Sequence, residues 1–183
     1  MKCNVIACGA SSKHVDGIGP SIMVNDGLKC GHQPDYLMLL NTPNQFTHDR
    51  LNTIKATNPK KVYTTFPNGW NRLFPNHEVV QLNLRSWSPS NKLQKISRNY
   101  LYHSKTSPFA AISLAFTWGF NQVVLYGVDM IDHHTYKPGT GAFINEFTSY
   151  KTFCASLKEA GCNVYLGHKE SSLNFLPIWN HSH

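Results

Sequence analysis

Apolar residues in this chain gather in short runs that stop at glycine, asparagine or aspartate. Residues 3–8 (CNVIAC) are too continuously apolar for a strand with one wet face, and read as a strand covered on both sides. Residues 21–25 (SIMVN), 35–41 (DYLMLLN), 60–66 (KKVYTTF) and 77–84 (HEVVQLNL) read as further strands. Between the third and fourth, residues 44–58 (NQFTHDRLNTIKATN) have the spacing of a helix. The stretch 85–104 is polar and irregular and predicts at most one helical turn.

The clearest unit follows. Ser107 and Pro108 form a helix start, with a hydroxyl N-cap and a proline in the first turn. Ala111, Leu114, Ala115 and Trp118 fall on one helical face, and Gly119 closes it. Residues 121–130 (NQVVLYGVDM) are a buried strand. A second amphipathic helix is expected over 145–160, with Phe147, Tyr150, Cys154 and Leu157 inward and Gly161 as its stop. Residues 162–167 (CNVYLG) complete the strands, and 171–179 form a terminal helix or turn. Strands alternating with helices imply an α/β fold, a Rossmann-like three-layer sandwich with a largely parallel sheet, and one domain over 1–183.

With 41% hydrophobic and 15% charged residues, the composition excludes a disordered chain. No apolar run approaches the roughly 20 residues that span a bilayer. The apolar part of MKCNVIACGASS is too short for a signal peptide, so a cytoplasmic protein is expected. Cysteines stand at 3, 8, 30, 154 and 162 with no C-x-x-C pair, which favours reduced structural thiols over disulfides or a metal site. The formal charge of +7 points to an anionic partner. Its basic residues are scattered, and only NPKK (58–61) holds a tight pair, so an anionic ligand is favoured over DNA.

In a parallel sheet, ligands bind at the carboxyl ends of the strands near the point where strand order reverses. Those ends carry Gly9, Ala10, Ser11 and Ser12, then Asn25, Asn41, and Gly127 with Asp129; the helix start at Thr106 and Ser107 can share the same edge. Each has an ordinary reading. Gly9 to Ser12 does not match G-x-G-x-x-G and is equally a plain turn, asparagine commonly ends strands, Ser107 is explicable as a cap, and Asp129 can cap the next turn. Their occurrence together is what favours a site for an anion.

The order of VIACGASS, IMVNDG, LMLLNTP and KTSPFAAISLAFTWGFNQVVLYGVDM, with a closing helix and strand, resembles the bacterial sialyltransferases that use CMP-sialic acid. It also resembles the related domains of motility-accessory and MptE-like proteins. Gly9 and Ser12 fall on that family's first loop, Asn25 and Asn41 on its strand-ending asparagines, and Thr106 and Ser107 on its helix opening. Phe120, Leu125, Gly127 and Asp129 fall on its strand signature. The resemblance implies that these positions, Ser11 among them, hold a cytidine nucleotide and its phosphates. The family loop's second glycine and proline are replaced by Ala10 and Ser11, and the helix-opening glycine by Pro108. Where the family carries a lid and a catalytic histidine, this chain is short and reads GTGAFINEF.

A base can instead come from DMIDHHTYKPGTG (129–141), through His133, His134 or Tyr136; imidazole is the usual group for deprotonating a hydroxyl near neutral pH. The alternative is a solvated polar loop. His103 is a second candidate, or simply a support for the helix start, and His168 reads as a surface residue. His133 and His134 lack a spaced third ligand, so no metal is expected. The expected function is metal-independent transfer of a sugar from a CMP- or UDP-linked donor, bound as substrate with no cofactor. The acceptor is a glycan hydroxyl or a modified nucleic acid. Two alternatives stand beside it: an MptE-like pyrophosphokinase needing Mg²⁺, and a nucleotide-binding module without turnover. Whether the protein forms a homo-oligomer is left open.

Overall fold

The computed structural model describes residues 1–27, 31–89, 93–131 and 138–180. Seven strands form one sheet: β1 (Lys2–Ile6), β2 (Ser21–Val24), β3 (Tyr36–Leu39), β4 (Lys61–Thr64), β5 (Glu78–Gln81), β8 (Gln122–Tyr126) and β9 (Asn163–Leu166). Their order is β5-β4-β3-β2-β1-β8-β9, and every pairing is parallel. The chain builds outward from β1 in one direction as far as β5, then returns to place β8 on its other side. The reversal therefore lies between β1 and β8, where Cys3 pairs with Val123 and Ile6 with Tyr126.

Helices cover both faces, completing the α/β Rossmann-like sandwich. Alternate residues of β1 serve different layers. Cys3, Val5 and Ala7 pack with α3 (Ser107–Thr117) and α4 (Gly141–Glu159), whereas Ile6 packs with Ile54 of α1 (His48–Lys55) and Trp70 of α2 (Pro67–Asn71). Phe109 through Phe116 of α3 are all buried, because that helix lies between the sheet and the rest of its own layer. Trp179 returns to pack on Val124 and Tyr126, and Ile178 makes a single bridge to Leu166. The terminal segment is thus a turn ending in that bridge. Among the described residues, no helix is long and apolar enough to cross a membrane.

Two expectations change. Within the stretch expected to be irregular, β6 (Leu84–Ser86) and β7 (Leu101–His103) form a small parallel sheet. Trp87 and Tyr102 carry it onto Phe153 of α4, at ring separations of 5.0 and 5.8 Å. Helix α4 also starts earlier than its apolar spacing suggests. Thr140 is its N-cap and accepts a hydrogen bond from the Phe143 amide at 3.1 Å, so GTGAF is helix start rather than loop.

Candidate functional site

The carboxyl ends of β1, β2, β3 and β8 open into a cavity of about 850 Å³. Gly9, Asn25, Asn41, Thr106, Ser107, Gly127 and Asp129 all line it, although they come from five separate stretches of sequence. The topology accounts for the convergence: parallel strands end on one edge, and a switch point leaves a gap between the diverging connections.

Two glycines set the floor. Gly127 has φ of 70°, and a Cβ there would overlap the Ala7 carbonyl. A Cβ on Gly9 would lie 2.6 Å from Asp129 Oδ2. The loops after β1 and β8 therefore approach as bare backbone, joined by the Gly9 amide donating to the Gly127 carbonyl at 2.9 Å. Ser11 completes the seam. Its hydroxyl accepts from the Gly127 amide at 2.8 Å and donates to Asp129, while its amide donates to Asp129 Oδ2 at 2.8 Å. Ser11 and Ser12 are buried and absent from the cavity wall. Ser11 is spent inside the protein, and Asp129, though on the wall, uses both carboxylate oxygens to hold it.

Asn25 stands at the end of β2 with φ of 55°, a left-handed conformation that asparagine tolerates better than most residues. Among the described residues its buried Oδ1 has no hydrogen-bond partner, which leaves an open acceptor on a residue of the cavity wall. Asn41 is exposed and fixed through its backbone, whose carbonyl accepts from Trp70 Nε1 at 2.9 Å.

The helix opening differs from expectation in its cap. The N-cap is Thr106 rather than Ser107, and its side chain does not cap. The Thr106 hydroxyl instead donates to Glu146 Oε1 at 2.7 Å and lies 2.8 Å from the Tyr150 hydroxyl. Glu146 is buried and also accepts from the Ser104 hydroxyl and from the Lys105 amide at 3.2 Å. One carboxylate on α4 thereby fixes the three residues leading into α3. With Thr106 drawn away, the first turn of α3 presents its partly positive end to the cavity without a side-chain cap from that residue.

Arg50, unremarked in the sequence, adds a cation to the wall. It donates from Nε to Asp26 Oδ2 at 3.0 Å and from Nη2 to Oδ1 at 2.7 Å, and lies 5.1 Å from the Phe46 ring centre. The hydrogen bonds it donates to Asp26 raise its pKa further, so it is charged at all working pH values. The signal that could have found this pair is Asp26 itself, an acid immediately after a strand-ending asparagine.

Cys8 was expected in a buried apolar position; it is exposed and lines the cavity, because β1 ends two residues earlier. Cys3, Cys154 and Cys162 are buried thiols, and burial raises the pKa of Cys3 to about 12 and of Cys162 to about 11. Cys30 lies outside the described residues. So do His133, His134 and Tyr136, the candidate bases. His103 is not on the cavity wall: Nδ1 faces the Ser104 carbonyl at 3.1 Å and Nε2 lies 3.2 Å from the Ser86 hydroxyl, which suits support of the helix start.

No protein-family model matches the sequence, and no curated protein matches it either. Solved structures do. A structure of a sialyltransferase from Campylobacter jejuni, CstII, in complex with the substrate analogue CMP-3FNeuAc matches at a TM-score of 0.55 and 14% identity, over 97% of this chain and 85% of that one. The chain has the CstII fold. A second CstII structure, in complex with a trisaccharide acceptor and CMP, matches at a TM-score of 0.55 and 13% identity, over 97% and 86%. At such low identity the CstII likeness concerns architecture alone, the sheet and its connections, and what the site can do rests on its own side chains.

Proposed function

We propose that the protein is a glycosyltransferase that binds a CMP- or UDP-linked sugar in the cavity between β1 and β8 and passes the sugar to an acceptor hydroxyl. One observation carries the reading. At the switch point of a fold shared with CstII, Asn25 with its buried, unpartnered Oδ1, an uncapped helix start and a fixed guanidinium (Arg50) stand on the wall of one cavity. Nucleoside hydroxyls or the exocyclic amine of cytosine would satisfy the Asn25 oxygen. The α3 amides and Arg50 would take the phosphate and stabilise the charge that develops on it as the sugar leaves. In this reading protein groups supply the counter-charge, so transfer proceeds without added metal. The acceptor proton would go to His133 or His134, in the segment that follows Ile131 of the cavity wall, with Tyr136 as the other candidate. The acceptor is a glycan hydroxyl.

A pyrophosphokinase would call on Asp129 as a Mg²⁺ ligand. Both its oxygens are engaged by Ser11, which favours the glycosyl reading over that one.

The test is a thermal-shift series with CMP, UMP, AMP and GMP, followed by donor turnover with CMP- and UDP-sugars in chelator. At a hundredfold excess over Kd, a ligand stabilises by about 2.7 kcal/mol, or roughly 5–10 °C in a chain of this size. A pyrimidine-nucleotide shift with turnover of the matching donor supports the proposal. A shift without turnover identifies a nucleotide-binding module, and no shift with any nucleotide overturns the site.

A further inference from the structure

A second cluster lies beside the cavity and has no part in the reading above. His14 ends the 3-10 turn Ala10–His14 that follows β1, and His168 and Glu170 follow β9. One ligand-type atom from each lies within 4.8 Å of the other two. The rings of His14 and His168 stack with centres 3.8 Å apart and planes 9° from parallel. Glu170 also lines the cavity, so the cluster shares its rim.

The common explanation for such a group is an ion pair between a protonated histidine and the glutamate. The spacing here is long for one. The Glu170 amide lies 3.3 Å from His168 Nδ1, a long contact for a hydrogen bond. Glu170 Oε2 stands 3.6 Å from the same nitrogen. That separation exceeds the roughly 2.7–2.9 Å of a charge-assisted hydrogen bond, and it leaves the span that an ion between the two atoms would fill. An ion bound at about 2.1 Å to a nitrogen and an oxygen in tetrahedral geometry holds them roughly 3.4 Å apart, close to the spacing present. The long amide contact would give way to the ion. His14 is exposed, so its ring can tilt out of the stack to aim a nitrogen at the same point.

The backbones that carry these ligands are pinned. Ser11 ties the start of the His14 turn to Asp129, and Asp16, just beyond it, accepts from Lys2 Nζ at 2.6 Å. After β9, the Gly167 amide donates to Leu125 and the Ser172 amide to Asp129, both at 2.8 Å, and the Ser171 hydroxyl donates to Val128 at 2.9 Å. His168 and Glu170 are thus held on a loop fastened on either side, which is what a preformed site requires.

We propose that His14, His168 and Glu170 form a binding site for a borderline divalent transition metal, of which Zn²⁺ is the type, on the cavity rim. Two imidazoles and one carboxylate suit Zn²⁺, Co²⁺ or Ni²⁺ better than Mg²⁺ or Ca²⁺, which prefer all-oxygen shells. Three protein ligands leave at least one coordination position for water or an anionic oxygen. This site is additional to the nucleotide pocket, stands whether or not that pocket holds a sugar donor, and departs from the sequence expectation of no metal.

The experiment is titration of the metal-free, tag-free protein with ZnCl₂ by calorimetry and with CoCl₂ by visible absorption. The wild type is compared with His14→Ala, His168→Ala, Glu170→Gln and a His133→Ala/His134→Ala double variant. The expected result is one ion per chain, with affinity falling at least tenfold in His168→Ala and in Glu170→Gln, falling also in His14→Ala, and holding in the double variant. Circular dichroism establishes that each variant is folded. Absence of one-to-one binding, equal affinity across the three site variants and wild type, or loss in the double variant alone would overturn the proposal.

Discussion

Replacing Gly127 with alanine tests the seam that makes the cavity. The residue sits at φ of 70°, where an L side chain is strained by about 1–2 kcal/mol. A new Cβ would also fall against the Ala7 carbonyl, 2.7 Å from its carbon and 3.0 Å from the Gly9 nitrogen. Those atoms are backbone of the loop after β1 and cannot swing aside as a side chain would, so overpacking adds about 1–3 kcal/mol. The sum, about 2–5 kcal/mol, corresponds to a fall in Tm of roughly 10 °C at about 2–4 °C per kcal/mol. Gly161 supplies the control. It has φ of 81° but no atom within 4 Å of its would-be Cβ, so Gly161→Ala carries the strain without the clash. Urea denaturation of both variants, with midpoints and slopes compared, separates the two effects. If Gly127→Ala is no less stable than Gly161→Ala, the close approach of the two loops is not what the sequence preserves there, and the account of the floor fails.

Glu146→Ala removes the acceptor shared by the Ser104 and Thr106 hydroxyls and the Lys105 amide, and should cost about 3 kcal/mol while weakening nucleotide binding; Glu146→Gln, which keeps an acceptor, should cost less, and wild-type stability and affinity in Glu146→Ala would refute the role. In a Cys30→Ser background, maleimide should modify Cys8 well before Cys3, Cys154 or Cys162, and CMP should slow that reaction; labelling of Cys8 at an unchanged rate in saturating CMP would detach it from the ligand site. Burial works to raise the pKa of Asp16, but hydrogen bonds from Lys2, the Ile18 amide and Asn4 outweigh it and leave the pKa below its ordinary value. A depressed folded pKa means stability that is present above the unfolded value near 3.9 and is lost as pH falls through the folded one. Acid unfolding followed by circular dichroism should therefore be shallower below pH 4 in Asp16→Asn than in wild type, and identical slopes would discount the contribution.

Much of the architecture was legible because its signals are local. The apolar run at Val5 and Ile6, the Ser107-Pro108 helix start and the buried face of α3 each lie within a few consecutive residues. The small sheet of β6 and β7 was not legible: its strands are three residues long, and Trp87 and Tyr102 gain their packing from Phe153, fifty or more positions away. The start of α4 was hidden by its glycines, although Thr140 three residues before Phe143 is a capping signal. The site divides the same way. Asn25 and Asn41 announce themselves at strand ends. Arg50 acquires meaning only through Asp26 and Phe46, and Glu146 only because its helix turns that one acid inward among Phe143, Tyr150 and Phe153. Ser11 misled for the opposite reason: a hydroxyl in a glycine turn looks available until the partner loop claims it.

The pairing of β1 with β8 also sets a clock. Lys2 and Gln122 are neighbours in the sheet but lie 120 residues apart in the chain. At a synthesis rate of about 5–20 residues per second, roughly 6–24 s separate the two strands on the ribosome. During that interval β2 can cover one edge of β1, while the other edge, with its unpaired amides and carbonyls, awaits a partner not yet made. The floor of the cavity is assembled across that same edge, so any capacity to hold a ligand arrives late, in one step, when the second loop docks. A nascent chain shorter than this has most of its sheet but lacks the β8 loop that closes the floor of the pocket, and a ligand that favours the docked loops would act on biogenesis as well as on the finished protein.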